Sequence, residues 1–276
     1  MSYTEDEYQT PLFMNPLEPV AGLTINDLNK YLPAVMKPEE IVMTGDTMFE
    51  GLFLADAIEG LARIPDCSID LIVTSPPEHP NIIGSHGQKY TLQEFYQWSQ
   101  GWMKEARRVL KDSGSLYLAT NWHLSGMYQS LISDYFQIQT RISWKNRNLK
   151  QGKNSKVWVN ESADLWFATK SSEFTVNQSY LGKAKEEDSN APQLSNFWSD
   201  LGILGDLGIE DYDDFIPSRV IERIIRASTF KLSWILDPFA GFGASGVAAK
   251  TLGRRFIGFE QDQDQLLISM KRIDHT

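Results

Sequence analysis

The stretch that decides the fold is residues 232–260, LSWILDPFAGFGASGVAAKTLGRRFIGFE. Residues 234–236 form a short apolar run that suits a buried parallel strand. The small residues of 244–252 predict a helix packed close to that strand, and residues 256–259 predict a second strand that Glu260 ends. The order strand, turn, helix, strand is typical of a parallel α/β sheet.

The turn between the first strand and the helix is rich in glycine. Gly241, Gly243 and Gly246 stand in G-x-G-x-x-G spacing, which lets the backbone pass near a ligand at a helix amino terminus. Glu260, at the end of the next strand, is suited to accept from ribose hydroxyls. This frame, made of a strand, a glycine turn, a helix, a second strand and a final acid, predicts an adenosine-containing cofactor. An ordinary tight turn is the alternative, but it leaves Asp237 unexplained, because a carboxylate between an apolar strand and a turn needs a partner.

The position of this frame restricts the fold. Since 16 residues follow Glu260, a nicotinamide-binding domain with its cofactor turn here would have no chain left for its remaining strands. The rest of the sheet must come from earlier sequence, so the order of elements is permuted and a nicotinamide enzyme is disfavoured.

Composition agrees with one large α/β domain. The chain has 276 residues, of which 42% are hydrophobic. No apolar run approaches the roughly 20 residues of a membrane span. The acidic, polar amino terminus is unlike a secretory signal, and the single cysteine, Cys67, excludes an internal disulfide. A cytoplasmic protein is the simplest interpretation. Because the net charge is −10, nucleic-acid binding would need a local basic patch.

The first half of the chain supplies a second strand-and-turn frame. Residues 52–54 predict a strand that leads to Asp56, residues 58–64 have helical spacing, and residues 69–73 predict a strand. That strand ends at the segment Ser75, Pro76, Pro77, Glu78, where two prolines make a rigid turn. In a parallel sheet this edge binds ligands, but taken alone the segment is better interpreted as a stiff loop without function.

The flanking segments are less informative. Residues 1–22 are polar, and 23–36 have a helix-like pattern; a solvated extension is the favoured interpretation, with partner contact or a lid as alternatives. Residues 91–110 predict an amphipathic helix, 111–114 a turn and 115–119 a strand. The predicted inward side chains of that helix are Leu92, Phe95, Trp98, Trp102, Ala106 and Val109. Further elements are predicted as a helix over 128–135, a strand over 138–144, a strand with a turn within 161–177 and a helix over 218–228.

Residues 141–156 contain six basic side chains and no acid. On a protein of net charge −10 this predicts contact with DNA phosphates, although a solvated basic loop is the alternative. The candidate DNA-binding residues are Lys145, Arg147, Lys150, Lys153 and Lys156.

With these segments in order, the chain resembles the beta group of DNA amino-methyltransferases. That group places a catalytic Ser-Pro-Pro or Asp-Pro-Pro turn first, a target-recognition region next and the glycine cofactor turn last. The matching segments here are ADAIEGLARIPDCSIDLIV at 55–73, SPPE at 75–78, the basic region near 141–160, DPFAGFGASGVAAK at 237–250 and GRRFIGFE at 253–260. The resemblance covers about residues 44–276.

The resemblance implies a doubly wound, Rossmann-like α/β methyltransferase sheet. It assigns residues 1–43 to an amino-terminal extension and 44–276 to the methyltransferase domain, with 145–214 as an inserted target-recognition region. The implied activity is S-adenosylmethionine-dependent methylation of an exocyclic base amine in double-stranded DNA. Serine at position 75 favours cytosine N4 over adenine N6. The partner is DNA, with a homodimer or an active methyltransferase subunit as further possibilities.

The resemblance also implies residue roles. Ser75, Pro76, Pro77 and Glu78 form the catalytic segment, in which the first side chain and a nearby carbonyl accept the amine protons. The implied cofactor-binding residues are Asp56, Asp237, Phe239, Gly241, Gly243, Ser245 and Glu260.

Four residues, at three places in the chain, depart from the family's pattern. Glu78 stands where an aromatic residue stacks on the flipped-out base, Ala244 and Ser245 replace two threonines, and Ile216 replaces a lysine. A catalytically degenerate DNA-binding or partner subunit is therefore the alternative to an active enzyme.

Overall fold

The computed structural model describes residues 22–77, 91–145, 162–178, 180, 195–198 and 216–276. Within these ranges eight strands form one sheet. The strands are β1 (Gly51–Leu54), β2 (Ile69–Thr74), β3 (Leu110–Thr120), β4 (Gln137–Lys145), β5 (Ser162–Thr169), β6 (Phe197–Trp198), β7 (Trp234–Asp237) and β8 (Arg255–Glu260). The α-helices are α1 (Ile25–Tyr31), α2 (Ala57–Leu61), α3 (Leu92–Val109), α4 (Trp122–Tyr135), α5 (Ser218–Ser228), α6 (Ala244–Thr251) and α7 (Gln263–Asp274).

The strand order explains how distant segments meet. It is β1-β8-β7-β2-β3-β5-β4-β6, in which β5 is antiparallel to both of its neighbours and the other neighbouring pairs are parallel. From β7 the chain winds outward through α6 to β8, whereas from β2 it winds the opposite way through α3 to β3. The boundary between β7 and β2 is therefore the switch point, where open α/β sheets bind ligands. The predicted doubly wound α/β fold is confirmed.

Helices cover both faces of the sheet. One face packs against α2, α3 and α4 through residues such as Leu61, Trp102 and Tyr128. The other packs against α5 and α6 through residues such as Ile224 and Ala248. Because the central strands are buried on both faces, they read as nearly continuous apolar runs.

Two details of the sequence prediction are wrong. Leu92 was predicted to face inward, but it is 61% exposed, because it is the first residue of α3 and lies beyond the helix's packed stripe. Residues 111–114 were predicted as a turn before a strand, but β3 already begins at Leu110. Its pairing with β2 shifts register between Ile69 and Leu71, so these residues form an irregularity within the strand.

The segment from residue 22 onward is part of the folded body, so its prediction as a solvated extension is wrong there. Leu23 and Tyr31 are buried and pack with Leu267 and Ile268 of α7. The Tyr31 hydroxyl donates to Asp274 Oδ2 at 3.0 Å. The apolar residues of α1 follow a helical period that was visible in the sequence, but their partner surface lies more than 230 residues away along the chain.

The predicted recognition insertion, residues 145–214, is too wide. Its residues 162–169 form β5, which lies inside the main sheet between β3 and β4. Alternate side chains of β5, such as Ala163 and Leu165, are buried, as a sheet strand requires. The remaining domain boundaries stay a prediction. No helix in the described ranges has both the length and the apolar character needed to cross a membrane.

Packing of the amino-terminal segment yields the first prediction. Leu23→Ala removes a side chain that is 4% exposed, and a buried leucine lost in this way costs about 2 kcal/mol or more of unfolding free energy. Ile25→Ala is the matched control, because Ile25 is 64% exposed and its loss should change stability by less than about 0.5 kcal/mol. Urea unfolding followed by circular dichroism measures both. Equal midpoints for the two variants would contradict the packing described here.

Candidate functional site

A cavity of ≈ 560 Å³ opens at the carboxyl ends of the parallel strands, beside the switch point. This volume falls in the range of small-molecule binding sites. Side chains from four separate parts of the chain line it, namely those around Asp56, Ser75, Trp98 and the glycine turn with Glu260. The predicted strand-end residues therefore do meet at one edge of the sheet.

Asp237 is a buried carboxylate at this edge, with 6% exposure. Its Oδ1 accepts from the Thr74 hydroxyl at 2.6 Å and from the Phe239 amide at 3.1 Å, and its Oδ2 accepts from the Ser245 hydroxyl at 2.6 Å. The carboxylate thus joins the end of β2, the glycine turn and the first turn of α6. These contacts supply the partner that a buried carboxylate requires.

Glu260 ends β8 and faces the cavity. Its Oε2 accepts from the Gly241 amide at 2.9 Å and its Oε1 from the Asp262 amide at 2.9 Å. Burial raises the pKa of the Glu260 carboxyl above its usual range, and the backbone hydrogen bonds oppose that rise. Each oxygen keeps a further lone pair, so the ionised carboxylate can accept from a ligand's hydroxyl groups.

The glycines of the turn have different reasons for being glycine. Gly241 has φ +52°, lines the cavity and would hold a Cβ 3.8 Å from Gln265, so it leaves open space toward a ligand. Gly243 has φ +81°, and a Cβ there would lie 2.6 Å from the Ser269 hydroxyl oxygen. A Cβ on Gly246 would lie 2.2 Å from Ile273. The second and third glycines are therefore required by helix packing against α7.

Asp56 begins α2. Its Oδ1 accepts from the Ile58 amide at 2.8 Å, which caps the helix, and the residue also lines the cavity. The capping bond fixes the direction of the carboxylate, and its other oxygen remains available to a ligand.

Ser75 lies at the meeting point of two cavities. A second cavity of ≈ 170 Å³ shares Ser75, Phe239, Gly241 and Gln265 with the first and extends toward Ser245 and Ile216. Ser75 is half-buried and follows directly on Thr74, the residue that Asp237 holds. Its hydroxyl is therefore carried by a rigid strand end that faces both spaces.

Prolines and aromatic rings complete the wall around Ser75. Pro76 is buried, whereas Pro77 lines the larger cavity. The Phe239 ring centroid lies 5.6 Å from that of Trp98 and 5.3 Å from that of Trp102. Trp98 was interpreted from the sequence as a core residue, and it does pack on the core, but it also lines the cavity.

Gln265 was missed by sequence reasoning, although it lines both cavities. It lies in the first turn of α7, the helix that follows β8 and its last residue Glu260. The available signal was its position in the first turn of the helix that follows the strand ending at Glu260.

Several predicted site residues cannot be placed. Glu78, Arg147, Lys150, Lys153 and Lys156 lie outside the described residues. Lys145 ends β4 at the cavity edge of the sheet, and its side chain also lies outside what the structure describes.

Comparison with known proteins gives a consistent family. A family model described as DNA methylase matches residues 69–271. The type II methyltransferase M2.LlaDCHI of Lactococcus lactis subsp. cremoris is 27% identical over 236 residues, which cover 80% of this chain and 87% of the relative. M2.DpnII of Streptococcus pneumoniae is 26% identical over 236 residues, covering 80% and 88%.

Two solved structures show the same fold. The cytosine-N4-specific PvuII DNA methyltransferase superposes with a TM-score of 0.67 at 19% identity, covering 82% of this chain and 86% of that chain. The complex of M1.HpyAVI with S-adenosylmethionine superposes with a TM-score of 0.62 at 20% identity, covering 82% and 100%. At these identities the likeness concerns the fold.

The Asp237 contacts generate the second prediction. Asp237→Ala leaves two buried hydroxyls and one amide without their acceptor, which should lower the unfolding free energy by about 3 kcal/mol or more. Asp66→Ala is the matched control, because the Asp66 side chain is 74% exposed in its ion pair with Arg108 and should contribute less than about 1 kcal/mol. Urea unfolding provides the measurement. A loss of equal size in both variants would show that Asp237 does not organise the turn.

Proposed function

Since its family model covers residues 69–271, the chain belongs to the DNA methylase family, and we propose that it methylates an exocyclic base amine of DNA, with cytosine N4 ahead of adenine N6 as the target. S-adenosylmethionine is the methyl donor. The observation that carries the proposal is the position of Ser75, which faces both cavities at the switch point of the sheet.

The larger cavity fits the adenosyl part of this cofactor. Glu260 presents a half-buried carboxylate with free acceptor capacity, and Asp56 presents a second carboxylate. Trp98 and Phe239 supply apolar walls for a planar ring. Gly241 keeps the turn open toward the cavity, because among the described residues a Cβ at that position would be approached by the Gln265 side chain alone. Asp56, Phe239, Gly241 and Glu260 would hold the adenosine.

The three other predicted cofactor residues have an indirect role. Both Asp237 and Ser245 line the smaller cavity, but the Asp237 carboxylate oxygens accept from Thr74, Phe239 and Ser245, and the Ser245 hydroxyl donates to Asp237. Gly243 likewise faces Ser269. We assign to these residues the task of holding the turn in shape, while the smaller cavity would take the amino-acid end of the cofactor.

When bound, S-adenosylmethionine supplies an electrophilic methyl group. The protein's task is to localise the lone pair of the target amine, which is otherwise delocalised into the base ring. Ser75 does this by accepting one amine proton in a hydrogen bond, and the backbone carbonyl within the rigid Ser-Pro-Pro segment accepts the other. Pro76 and Pro77 hold these two acceptors in fixed directions. Catalysis by such positioning lowers the barrier without a strong base.

The preference for cytosine N4 rests on Ser75, because serine at this position is more frequent in enzymes that methylate cytosine N4. Glu78 and the basic run stay predictions from the sequence. Lys145, Arg147, Lys150, Lys153 and Lys156 are proposed to contact DNA phosphates, and Glu78 to border the target base.

Glu260 provides the test of the cofactor site. Glu260→Gln should weaken S-adenosylmethionine binding by about tenfold, because a neutral amide accepts less strongly from ribose hydroxyls than a carboxylate does. The raised pKa of Glu260 adds a pH dependence. The ionised form exists above that pKa, so wild-type affinity should fall as the pH drops through it, at a higher pH than for an ordinary glutamate.

Titration calorimetry across a pH series measures both effects. The Glu260→Gln variant should lack the acid-side loss of affinity, and Glu59→Gln, which changes an exposed glutamate on α2, should match the wild type. Undiminished cofactor affinity in Glu260→Gln would remove Glu260 from the site. Absence of cofactor binding by the wild type would overturn the proposed function.

Ser75 provides the test of the reaction. The wild type is incubated with labelled S-adenosylmethionine and mixed genomic DNA, and the methylated base is identified by mass spectrometry. Ser75→Ala should lower the methylation rate by about tenfold to a hundredfold, because one acceptor of an amine proton is lost in the transition state. Ser133→Ala, on the far part of α4, serves as the control. Labelled adenine without labelled cytosine would contradict the target order. A wild type that binds cofactor but methylates no DNA would favour a degenerate partner subunit.

A further inference from the structure

Trp122 is an exposed indole at the edge of the sheet where the cavities open. It is the first residue of α4, directly after the carboxyl end of β3, and it is 59% exposed. Every other tryptophan within the described ranges is buried or half-buried. Burying an indole is strongly favourable. An indole that is kept exposed on a fixed backbone therefore indicates a binding surface.

The strand register sets how near Trp122 is to the reaction site. Thr74 of β2 pairs with Leu118 of β3, so Ser75 is level with Ala119 on the neighbouring strand. Trp122 follows three residues later. With a rise of about 3.3 Å per residue and a strand spacing of about 4.8 Å, Trp122 begins within roughly 11 Å of Ser75. It therefore lies on the side of Ser75 that is opposite to the glycine turn, since β3 and β7 flank β2 on either side.

The indole is held by its surroundings. The Asn121 side chain caps α4 by accepting from the Leu124 amide at 3.1 Å, and Leu124 is buried. Ser125 donates to Asp164 Oδ2 of β5 at 2.7 Å, which ties the first turn of α4 to the sheet. The His123 ring lies 3.6 Å from the Trp122 ring, centroid to centroid. These hydrogen bonds fix the backbone that carries the ring, so little backbone entropy is lost when the ring binds.

A second exposed ring lies farther along the same edge. Phe197 of β6 is 59% exposed and pairs with Ser143 near the end of β4. Its neighbour Trp198 packs on the core of the α5 and α6 face, so Phe197 faces the α4 side, as Trp122 does. The chain leaves this edge at Lys145 and returns at Ser162, and the sequence between them carries four basic residues and one acid, Glu161. Exposed rings beside a basic segment suit nucleic acid.

We propose that Trp122 stacks on a base of the DNA at the reaction edge, with His123 as its support. The inference rests on the proposed function, since it requires DNA to lie across this edge. It adds to that function a specific contact, in which the Trp122 ring on α4 stacks on the base. The residue after the double proline, Glu78, is a carboxylate and offers no such ring.

The test compares three variants of the full chain. Trp122→Ala should weaken binding to short labelled duplexes of random sequence by about tenfold to a hundredfold, as expected when one base–aromatic stack is lost. Trp122→Phe should restore most of the affinity. Phe230→Ala is the matched control, because Phe230 is 55% exposed but precedes β7 at the opposite edge of the sheet, and it should bind DNA as the wild type does.

Three further measurements distinguish stacking from other roles of Trp122. The slope of affinity against salt concentration should be the same in Trp122→Ala and the wild type, because stacking releases no counterions. Cofactor affinity and the urea midpoint should also be unchanged. A reduced salt slope, a weaker cofactor affinity or a lower midpoint in Trp122→Ala would overturn the stacking role.

The outcomes also distinguish this inference from the function on which it depends. If the wild type binds and methylates DNA while Trp122→Ala binds equally well, the inference alone is overturned. If the wild type neither binds nor methylates DNA, both are overturned.

Discussion

The site depends on a buried carboxylate that is shared by three elements. Asp237 accepts hydrogen bonds from Thr74 on β2, from the amide of Phe239 in the glycine turn and from Ser245 on α6. A carboxylate taken out of water is costly unless its oxygens are satisfied, and here the partners come from the strand β2, the glycine turn and the helix α6. The end of β2, from which Ser75 follows, and the glycine turn are therefore positioned relative to each other by one side chain.

The same requirement explains which departures from the family's pattern the fold tolerates. Ser245 stands where a threonine is usual, but it keeps the hydroxyl that Asp237 needs. Ile216 stands where a lysine is usual, and it is buried in the core that includes Ile221 while lining the smaller cavity. An isoleucine fills that position without burying an unpaired charge, so the substitution is compatible with folding. What it removes is a cation beside the space for the cofactor's amino-acid end.

Much of the fold could be predicted because local pattern and tertiary role agree. Local sequence alone was enough to predict three features: the apolar strand β7, the strongly amphipathic helix α5 and the acid Glu260 at the end of its strand. Predictions failed where the deciding partner is remote. The helical period of α1 was visible, but its burial depends on α7, and β5 was assigned to an insertion although its place in the sheet depends on pairing with β3 and β4.

The site shows the same division between local and remote information. Ser75, Asp56 and Glu260 could be found because each ends a predicted strand, and parallel strands bring their ends to one edge. Gln265 and Trp122 lie in the first turns of helices that follow such strands, where sequence alone does not tell which side chains face the edge. Their positions place Gln265 on the cofactor side of Ser75 and Trp122 on the other side. Ser75 thus lies between the two cavities proposed for the methyl donor and the aromatic surface proposed for the base, an arrangement that suits an in-line methyl transfer.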